Sequence, residues 1–425
     1  MRAPLGLVLL ASALGCGPTA TPPLVPADFR SELPIVAIEL ASAIGDEPKS
    51  RARMRVFENG ALSLESFIGI EIRGRSSQVY FPKRSFGFEF RTEGDIQKES
   101  AFLGMPAESD WVLLGPYSDK SFLRDALAFE IARRMGRASP RSKFVELFVR
   151  QGAPRPAAEE YQGLYLAAER ISRGSGRVDL PRSRHRPGEE SGFIVKLDWL
   201  DPDTREAHFM TPVGERVILV YPSASDATEE QLSFFKDYVQ GFEASLETGG
   251  YAEFIDVDSW VDGMILQELA KNVDAYRSST YLHKLPHGKL RLGPPWDFNQ
   301  AFGNASYDED ASRVEGFRAS GGREGPWFRR LLEDEVFSSR FQDRYRELRR
   351  DAVSDEALSG FLDSGGGRLR DAAARNFKRW PILGEIVLGN PDPPPGSFEG
   401  ELARLKDWLR ARARWMDEEL AVEAS

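Results

Sequence analysis

The spacing of apolar residues makes the front half of the chain strand-rich. Short apolar runs with β-branched residues, or strict apolar–polar alternation, recur up to residue 198 and predict β-strands. Asn59-Gly60, between two alternating segments, is a strong hairpin signal. Strands are predicted at residues 34–40, 53–57, 60–66, 67–73, 83–90, 144–149, 162–167 and 191–198.

Helical spacing appears once in the front half and dominates after residue 227. The early helix covers residues 121–135 and ends before Gly136. Later helices are predicted at residues 228–248, 258–272, 327–337, 339–353, 356–377 and 398–419. This order predicts an α+β protein with a strand-rich N-terminal lobe at residues 34–168 and a mainly helical C-terminal lobe at residues 169–425.

Length, composition and charge narrow the class of protein. A chain of 425 residues suits two lobes or two domains better than one core. It is 41% hydrophobic and 29% charged, which is ordinary for a globular protein. The net charge is −10 and no basic stripe stands out, so we expect no nucleic-acid partner.

The N-terminus predicts export. Residues 1–15 combine Arg2, a short apolar run and small residues, as a secretory signal does. Residues 13–16, Ala-Leu-Gly-Cys, resemble a bacterial lipobox, although Ala13 replaces the usual leucine. Cys16 is the only cysteine, so no internal disulfide forms and the thiol stands where lipidation needs it. The alternative is a plain secreted protein with an incidental cysteine.

A tether is predicted between this cysteine and the folded part. Residues 16–33 are rich in proline, which is typical of a flexible linker. We therefore expect a monomeric cell-envelope lipoprotein on the periplasmic or cell-surface face, held to the membrane by its N-terminal lipid.

Two aspartates flank a predicted hairpin in the helical half. Asp274 follows the helix at 258–272, and Asp297 stands between Trp296 and Phe298. The hairpin between them has strands at 281–284 and 289–292 and a turn at Pro-His-Gly. Protein kinases use this order: the first aspartate accepts the proton of the substrate hydroxyl and the second binds Mg²⁺ against the phosphates. Taken singly, either aspartate could be only a turn or capping residue.

Several short motifs in the same order resemble the CotH kinases, an atypical family of secreted or surface kinases named for a spore-coat protein. The resemblance covers nearly the whole mature chain. It rests on residues 73–77 with 82–83, 114 with 117–121 and 124, 161–165 with 169–171, 192–194, 272–274, 295–298 with 301–303, and 379–381.

The resemblance implies a bilobal protein-kinase-like fold and ATP-dependent phosphorylation of serine or threonine in exported or surface proteins. ATP and Mg²⁺ or Mn²⁺ would be the cofactors. By motif match, Asp274 is the catalytic base and Asp297 the metal ligand, with Asn299 as a second ligand.

Two positions depart from the family pattern. Asn299 stands where the family commonly has aspartate, and Ser279 where many members have asparagine. Both changes weaken metal binding, because the amide of Asn299 lacks the negative charge of aspartate and the hydroxyl of Ser279 is a weaker ligand than an asparagine amide. A nucleotide-binding pseudokinase or a surface scaffold is therefore an alternative. Transfer of an adenylyl group and ATP-driven amino-acid ligation are further alternatives, because both could use the same cleft.

The remaining candidates concern nucleotide binding. Lys83 starts a strand after a small-residue turn, where a phosphate-pairing lysine would lie. Arg73 and Arg75 flank Gly74 and could present forked donors to phosphate oxygens. Glu130 and Glu169 are both candidates for the partner of the lysine, and the choice stays open. Each of these residues, like Lys120 and Arg124 in the motif at 117–124, has a structural or surface role as its alternative.

Other catalytic classes have no support. The four histidines lack metal-ligand spacing. The chain has no Gly-x-Ser-x-Gly elbow, no Walker lysine loop and no Gly-x-Gly-x-x-Gly. A hydrolase triad is therefore not expected.

Overall fold

A computed structural model describes residues 23–182, 190–200, 206–321 and 325–421 of the chain. The predicted α+β class is confirmed, since strands fill the first part and helices dominate the second. The predicted signal at residues 1–15 and Cys16 lie outside the described residues.

The front half closes into a seven-stranded barrel in the order β1-β2-β3-β4-β7-β9-β8. A parallel pair between β1 and β8 closes it, and every other neighbouring pair is antiparallel. Residues 60–66 and 67–73, predicted as two strands, form one continuous strand. The strands are β1 (Ile35–Leu40), β2 (Ser50–Glu58), β3 (Ala61–Arg73), β4 (Ser85–Arg91), β5 (Ser100–Phe102), β6 (Met105–Glu108), β7 (Asp110–Leu114), β8 (Ser142–Gln151) and β9 (Tyr161–Glu169).

Large apolar side chains fill the barrel. Phe88, Phe90 and Trp111 are almost completely buried inside it. The two-stranded β5–β6 ribbon adds Phe102, whose ring contacts the rings of these three residues edge-on. The barrel is therefore a packed core of its own. The resemblance implied a bilobal kinase fold, but a closed barrel does not make the molecule clearly bilobal.

A second, antiparallel sheet of five strands has the order β11-β12-β10-β13-β14. Side chains alternate along β10: Phe193 and Val195 pack into the helical core, whereas Ile194 faces the barrel side with Trp296. By the same alternation Lys196 shares the face of Ile194. The strands are β10 (Phe193–Leu197), β11 (His208–Met210), β12 (Arg216–Tyr221), β13 (Thr280–Lys284) and β14 (Leu290–Leu292).

The helices enclose a large second core. None of the helices in the described residues is both long and apolar enough to cross a bilayer. The helices are α1 (Ser76–Tyr80), α2 (Arg124–Arg134), α3 (Ala157–Glu160), α4 (Glu229–Ser245), α5 (Val257–Ala270), α6 (Glu309–Ser312), α7 (Pro326–Glu333), α8 (Glu335–Arg349), α9 (Asp355–Arg379) and α10 (Phe398–Glu419).

The segment before β1 packs against the barrel. Leu24 is 3% exposed, and the ring of Phe29 lies 5.0 Å from that of Phe148 and 5.8 Å from that of Tyr161. The flexible tether predicted at residues 16–33 is therefore wrong for its last part, since burial of these apolar side chains fixes the chain from Leu24 onward. Residues 16–22 lie outside the described residues.

Candidate active site

A helix end and a hairpin bring the two aspartates together. Helix α5 ends at Ala270, and the left-handed backbone of its C-cap Lys271 (φ 40°) turns the chain toward Asp274. Residue 297 follows β14, and the antiparallel pairing of β13 with β14 returns it to the start of the hairpin. There Ser279 Oγ donates to Asp297 Oδ2 at 3.2 Å, and Asn272 Nδ2 donates to the Asp297 carbonyl at 3.3 Å.

Backbone conformations at this site are unusual. Tyr276, Ser279, Asp297 and Phe302 all have φ between 48° and 69°, although none is glycine. A left-handed conformation costs a non-glycine residue roughly 1–2 kcal/mol. Such residues persist only where surrounding contacts hold them, and they concentrate at functional sites.

Burial and neighbouring charges raise the pKa of both carboxylates. Burial, and after it the charge of Asp274, raises the pKa of Asp297 to about 6. Burial also raises the pKa of Asp274, and Arg277 opposes that shift. The Asp274 side chain is still 33% exposed, so a substrate group can reach it.

The donor set at Asp297 fits a divalent cation that also has phosphate ligands. Its two oxygens accept hydrogen bonds from neutral groups, Ser279 Oγ and Asn299 Nδ2 (3.1 Å). Carboxylate oxygen is the preferred ligand of Mg²⁺, which typically takes one or two carboxylates and completes its shell with phosphate and water. Across the described ranges, no three His, Cys, Asp or Glu side chains gather into a metal site by themselves.

The barrel and β10 each bring a cation to this region: Arg73, on which the charge of Asp297 acts, and Lys196, which pairs with Asp198 and Glu206. The guanidinium carbon of Arg73 lies 5.5 Å from the centre of the Trp296 ring. Burial and the neighbouring Arg170 lower the pKa of Arg73, and the charge of Asp297 opposes this shift. Lys196 pairs across the sheet with Tyr281, whose phenol is near the same two arginines.

The sequence reasoning missed Lys196, Asp198 and Arg170. Lys196 Nζ lies 3.2 Å from Asp198, and Ser278 Oγ donates to Asp198 at 2.8 Å. The charge of Asp198 contributes to the raised pKa of both Asp274 and Asp297. A usable signal existed, because Lys196 is the one charged residue in the apolar strand β10.

Lys83 does not lie at this site. It is 1% exposed and donates to the Leu164 carbonyl (2.6 Å), to Asn376 Oδ1 (2.9 Å) and to the Pro116 carbonyl (3.3 Å). These contacts join β9 to α9. The expectation of a phosphate-pairing lysine at this position is therefore wrong.

The proposed glutamate partners of Lys83 are engaged elsewhere. Glu130 pairs with Arg133 and, at 2.7 Å, with Arg134 on its own helix, while Glu169 binds Arg141 at 2.7 Å. Within the described part of the chain, neither glutamate forms an ion pair with Lys83, so this pairing is corrected as well.

The other candidate residues have clear positions. Arg75 is exposed at the start of α1. Lys120 is buried and donates to the Glu385 carbonyl at 2.5 Å, and Arg124 is buried against Asp119 at 2.6 Å. Lys120 and Arg124 thus make structural contacts, which favours the structural role over the site role for both residues.

Comparison with known proteins adds a family assignment. A family model described as CotH kinase protein matches residues 70–416. The matched range begins in β3, ends in α10 and contains both aspartates. No curated protein matches this chain.

Proposed function

Since this chain belongs to the CotH kinase family, we propose that it is an atypical protein kinase that transfers the γ-phosphoryl group of ATP to serine or threonine of exported or surface proteins. The pairing of Asp274 with Asp297 across the β13–β14 hairpin is the observation that supports this most. Both acids are half-buried, so each is open to a bound group, as one base and one metal ligand must be.

In this proposal Asp274 accepts the proton of the acceptor hydroxyl while the hydroxyl oxygen attacks the γ-phosphorus of ATP. The bond between the γ-phosphorus and the β–γ bridging oxygen breaks, and ADP leaves. Asn272 Oδ1 accepts the Asp274 backbone N–H at 3.1 Å and so orients the residue. The raised pKa of this carboxyl favours proton acceptance over a free aspartate. Asn272 thus orients Asp274, and the Asp274 carboxylate accepts the proton.

Asp297 and Asn299 would hold Mg²⁺ or Mn²⁺. A bound divalent ion would neutralise charge on the β- and γ-phosphates. Arg73 and Lys196 would contact phosphate oxygens, because the charge of Asp297 acts on Arg73, and both cations lie near the phenol of Tyr281. Lys196 takes the role that the sequence had given to Lys83.

Isotope position distinguishes the possible reactions. Purified protein is incubated with ATP labelled at the γ or at the α position, a divalent cation and candidate exported proteins. Label from the γ position alone supports the kinase, whereas label from the α position would show adenylyl transfer. Bound ATP without any transferred label would show a pseudokinase.

Three variants test the roles of the aspartates. Asp274→Asn and Asp297→Asn keep size and should each lower turnover by roughly 10³-fold or more, in line with loss of a catalytic base or metal charge. Asp407→Asn is the matched control, because this α10 side chain is 77% exposed. Full activity in either active-site variant would refute the assignment.

A further inference from the structure

The first turn of α2 and the segment before it bind the loop that carries Asp297. The Phe298 N–H donates to Asp125 Oδ1 at 2.7 Å, and Arg124 Nε donates to the Ala301 carbonyl at 3.1 Å. Further along the loop, Gln300 Nε2 donates to Ser118 Oγ at 2.5 Å. The contacts join parts of the chain that are more than 170 residues apart.

The two ionisable residues of this contact are buried. Arg124 is 2% exposed and Asp125 is 7% exposed. Burying a charge is unfavourable unless hydrogen bonds compensate it. Arg124 is compensated by Asp119 at 2.6 Å and by the loop carbonyl, and Asp125 by the loop N–H.

The bonded peptide is the one directly after Asp297. Asp297 has φ 67°, a conformation that only external contacts maintain in a non-glycine residue. A hydrogen bond at Phe298 N fixes the plane of the 297–298 peptide and therefore the direction of the Asp297 side chain. We propose that Asp125 is a positioning residue, which through this bond holds the Asp297 carboxylate in the geometry that binds the metal–nucleotide complex; the inference rests on the proposed function.

The bond to Phe298 needs an acceptor oxygen at residue 125, but it does not need a negative charge there. Asp125→Asn keeps an oxygen that can accept the Phe298 N–H, whereas Asp125→Ala removes it. Glu160→Ala is a control for the loss of a buried carboxylate elsewhere: Glu160 is 3% exposed and accepts the Arg155 backbone N–H at 2.9 Å, as well as two hydrogen bonds from Arg150.

The first measurement is hydrogen–deuterium exchange of residues 297–304 in the free protein. Asp125→Ala should raise exchange there by about tenfold, the equivalent of one lost buried hydrogen bond. Asp125→Asn should stay within about threefold of wild type, and Glu160→Ala should not change this segment selectively.

The second measurement is calorimetric binding of Mn²⁺ with ATP, and the steady-state split between KM and kcat. Asp125→Ala should weaken binding by about tenfold, and Asp125→Asn should restore it. A purely structural role would lower the melting temperature in both variants without this rescue.

Several results would overturn the proposal. Unchanged exchange at residues 297–304 and unchanged Mn²⁺–ATP binding in Asp125→Ala would do so. Binding weakened as much in Asp125→Asn as in Asp125→Ala would also do so, as would an equal rise in exchange and an equal loss of binding in Glu160→Ala. If the wild-type protein binds no Mn²⁺–ATP, the proposed kinase function fails, and the exchange data separately decide whether Asp125 fixes the loop.

Discussion

At the scale of single residues, the site sets acidic groups against cations in a confined space. Asp198, Asp274 and Asp297 repel one another, and burial adds to that repulsion. Arg73 and Lys196 relieve part of it. A metal-bound triphosphate carries both signs of charge. Its metal ion would neutralise the carboxylates, and its phosphates would neutralise Arg73 and Lys196.

The assignment of the phosphate contact to Lys196, and of a structural role to Lys83, gives a prediction at the residue scale. Lys196→Ala should raise the KM for ATP by about tenfold with little loss of stability, because a phosphate contact is lost. Lys83→Met should leave this KM unchanged but lower the free energy of unfolding by roughly 2–3 kcal/mol, because buried acceptors on Leu164 and Asn376 lose their donor.

Steady-state kinetics and urea unfolding of the two variants check this prediction. The opposite pattern, with ATP affinity lost in the Lys83 variant and stability lost in the Lys196 variant, would return the phosphate contact to Lys83.

The raised pKa of Glu215 makes the free energy of unfolding depend on pH. Burial, and after it the charge of Glu243, raises the pKa of Glu215 from 4.5 to about 7. The folded protein therefore binds this proton more tightly than the unfolded chain does. The resulting stability is present below pH 4.5 and is lost as the pH rises through 7.

The variant Glu215→Gln isolates this effect. The wild-type protein should lose roughly 3 kcal/mol between pH 4.5 and 8 relative to the variant, which has no proton to lose there. Urea unfolding at several pH values measures the difference. Parallel stability curves for the two proteins would contradict the prediction.

The sequence identifies part of the site at this scale. The order of helix, aspartate, hairpin and aspartate is local, so Asp274 and Asp297 could be found from it. Lys83 was misassigned because the residue that binds it, Asn376, lies 293 positions further along the chain. Lys196 was missed because alternation predicts which residues share a face, but not which face borders the site.

At the scale of elements, local signals predict single elements better than their assembly. Helix α10 was predicted with its observed bounds, and the β13–β14 hairpin was predicted around its turn. Closure of the barrel was not predicted, because it depends on parallel pairing of β1 with β8, more than 100 residues away. A strand pattern does not specify such a partner.

The contact between β9 and α9 gives an element-scale prediction. A Cβ atom added to Gly163 (φ 103°) would lie 2.3 Å from Asn376 Oδ1, so Gly163→Ala should push α9 from the barrel and cost roughly 2–4 kcal/mol. Gly104 (φ 75°) has no atom within 4 Å of such a Cβ. Gly104→Ala should therefore cost only about 1 kcal/mol, from backbone strain alone.

Chemical denaturation of both variants measures these costs. Equal losses would show that the positive φ, and not the approach of α9, makes Gly163 necessary.

At the scale of the whole molecule, ion pairs and hydrogen bonds join the barrel to the helical body. Arg375 on α9 donates to both oxygens of Glu146, at 2.8 and 2.6 Å, and Glu146 is completely buried in the barrel. The ring of Phe29 lies 5.3 Å from the guanidinium carbon of Arg375. The segment before β1, the barrel and α9 thus pack at one place.

We propose that the whole molecule is an exported lipoprotein anchored through Cys16. Cys16→Ser should abolish labelling by radioactive palmitate and release the protein from the membrane fraction, because the Cys16 sulfur is the atom that would carry the lipid. Fractionation of the two forms tests this. Membrane retention of the serine variant without label would contradict lipid anchoring.

The central claim is that Asp274 and Asp297 act on one metal-bound nucleotide, and a crystal structure with Mn²⁺ and a non-hydrolysable ATP analogue tests it most directly. We predict an anomalous manganese peak in direct coordination with Asp297, with the γ-phosphate facing Asp274. Nucleotide and manganese bound elsewhere, with both carboxylates left without a metal, would contradict the account.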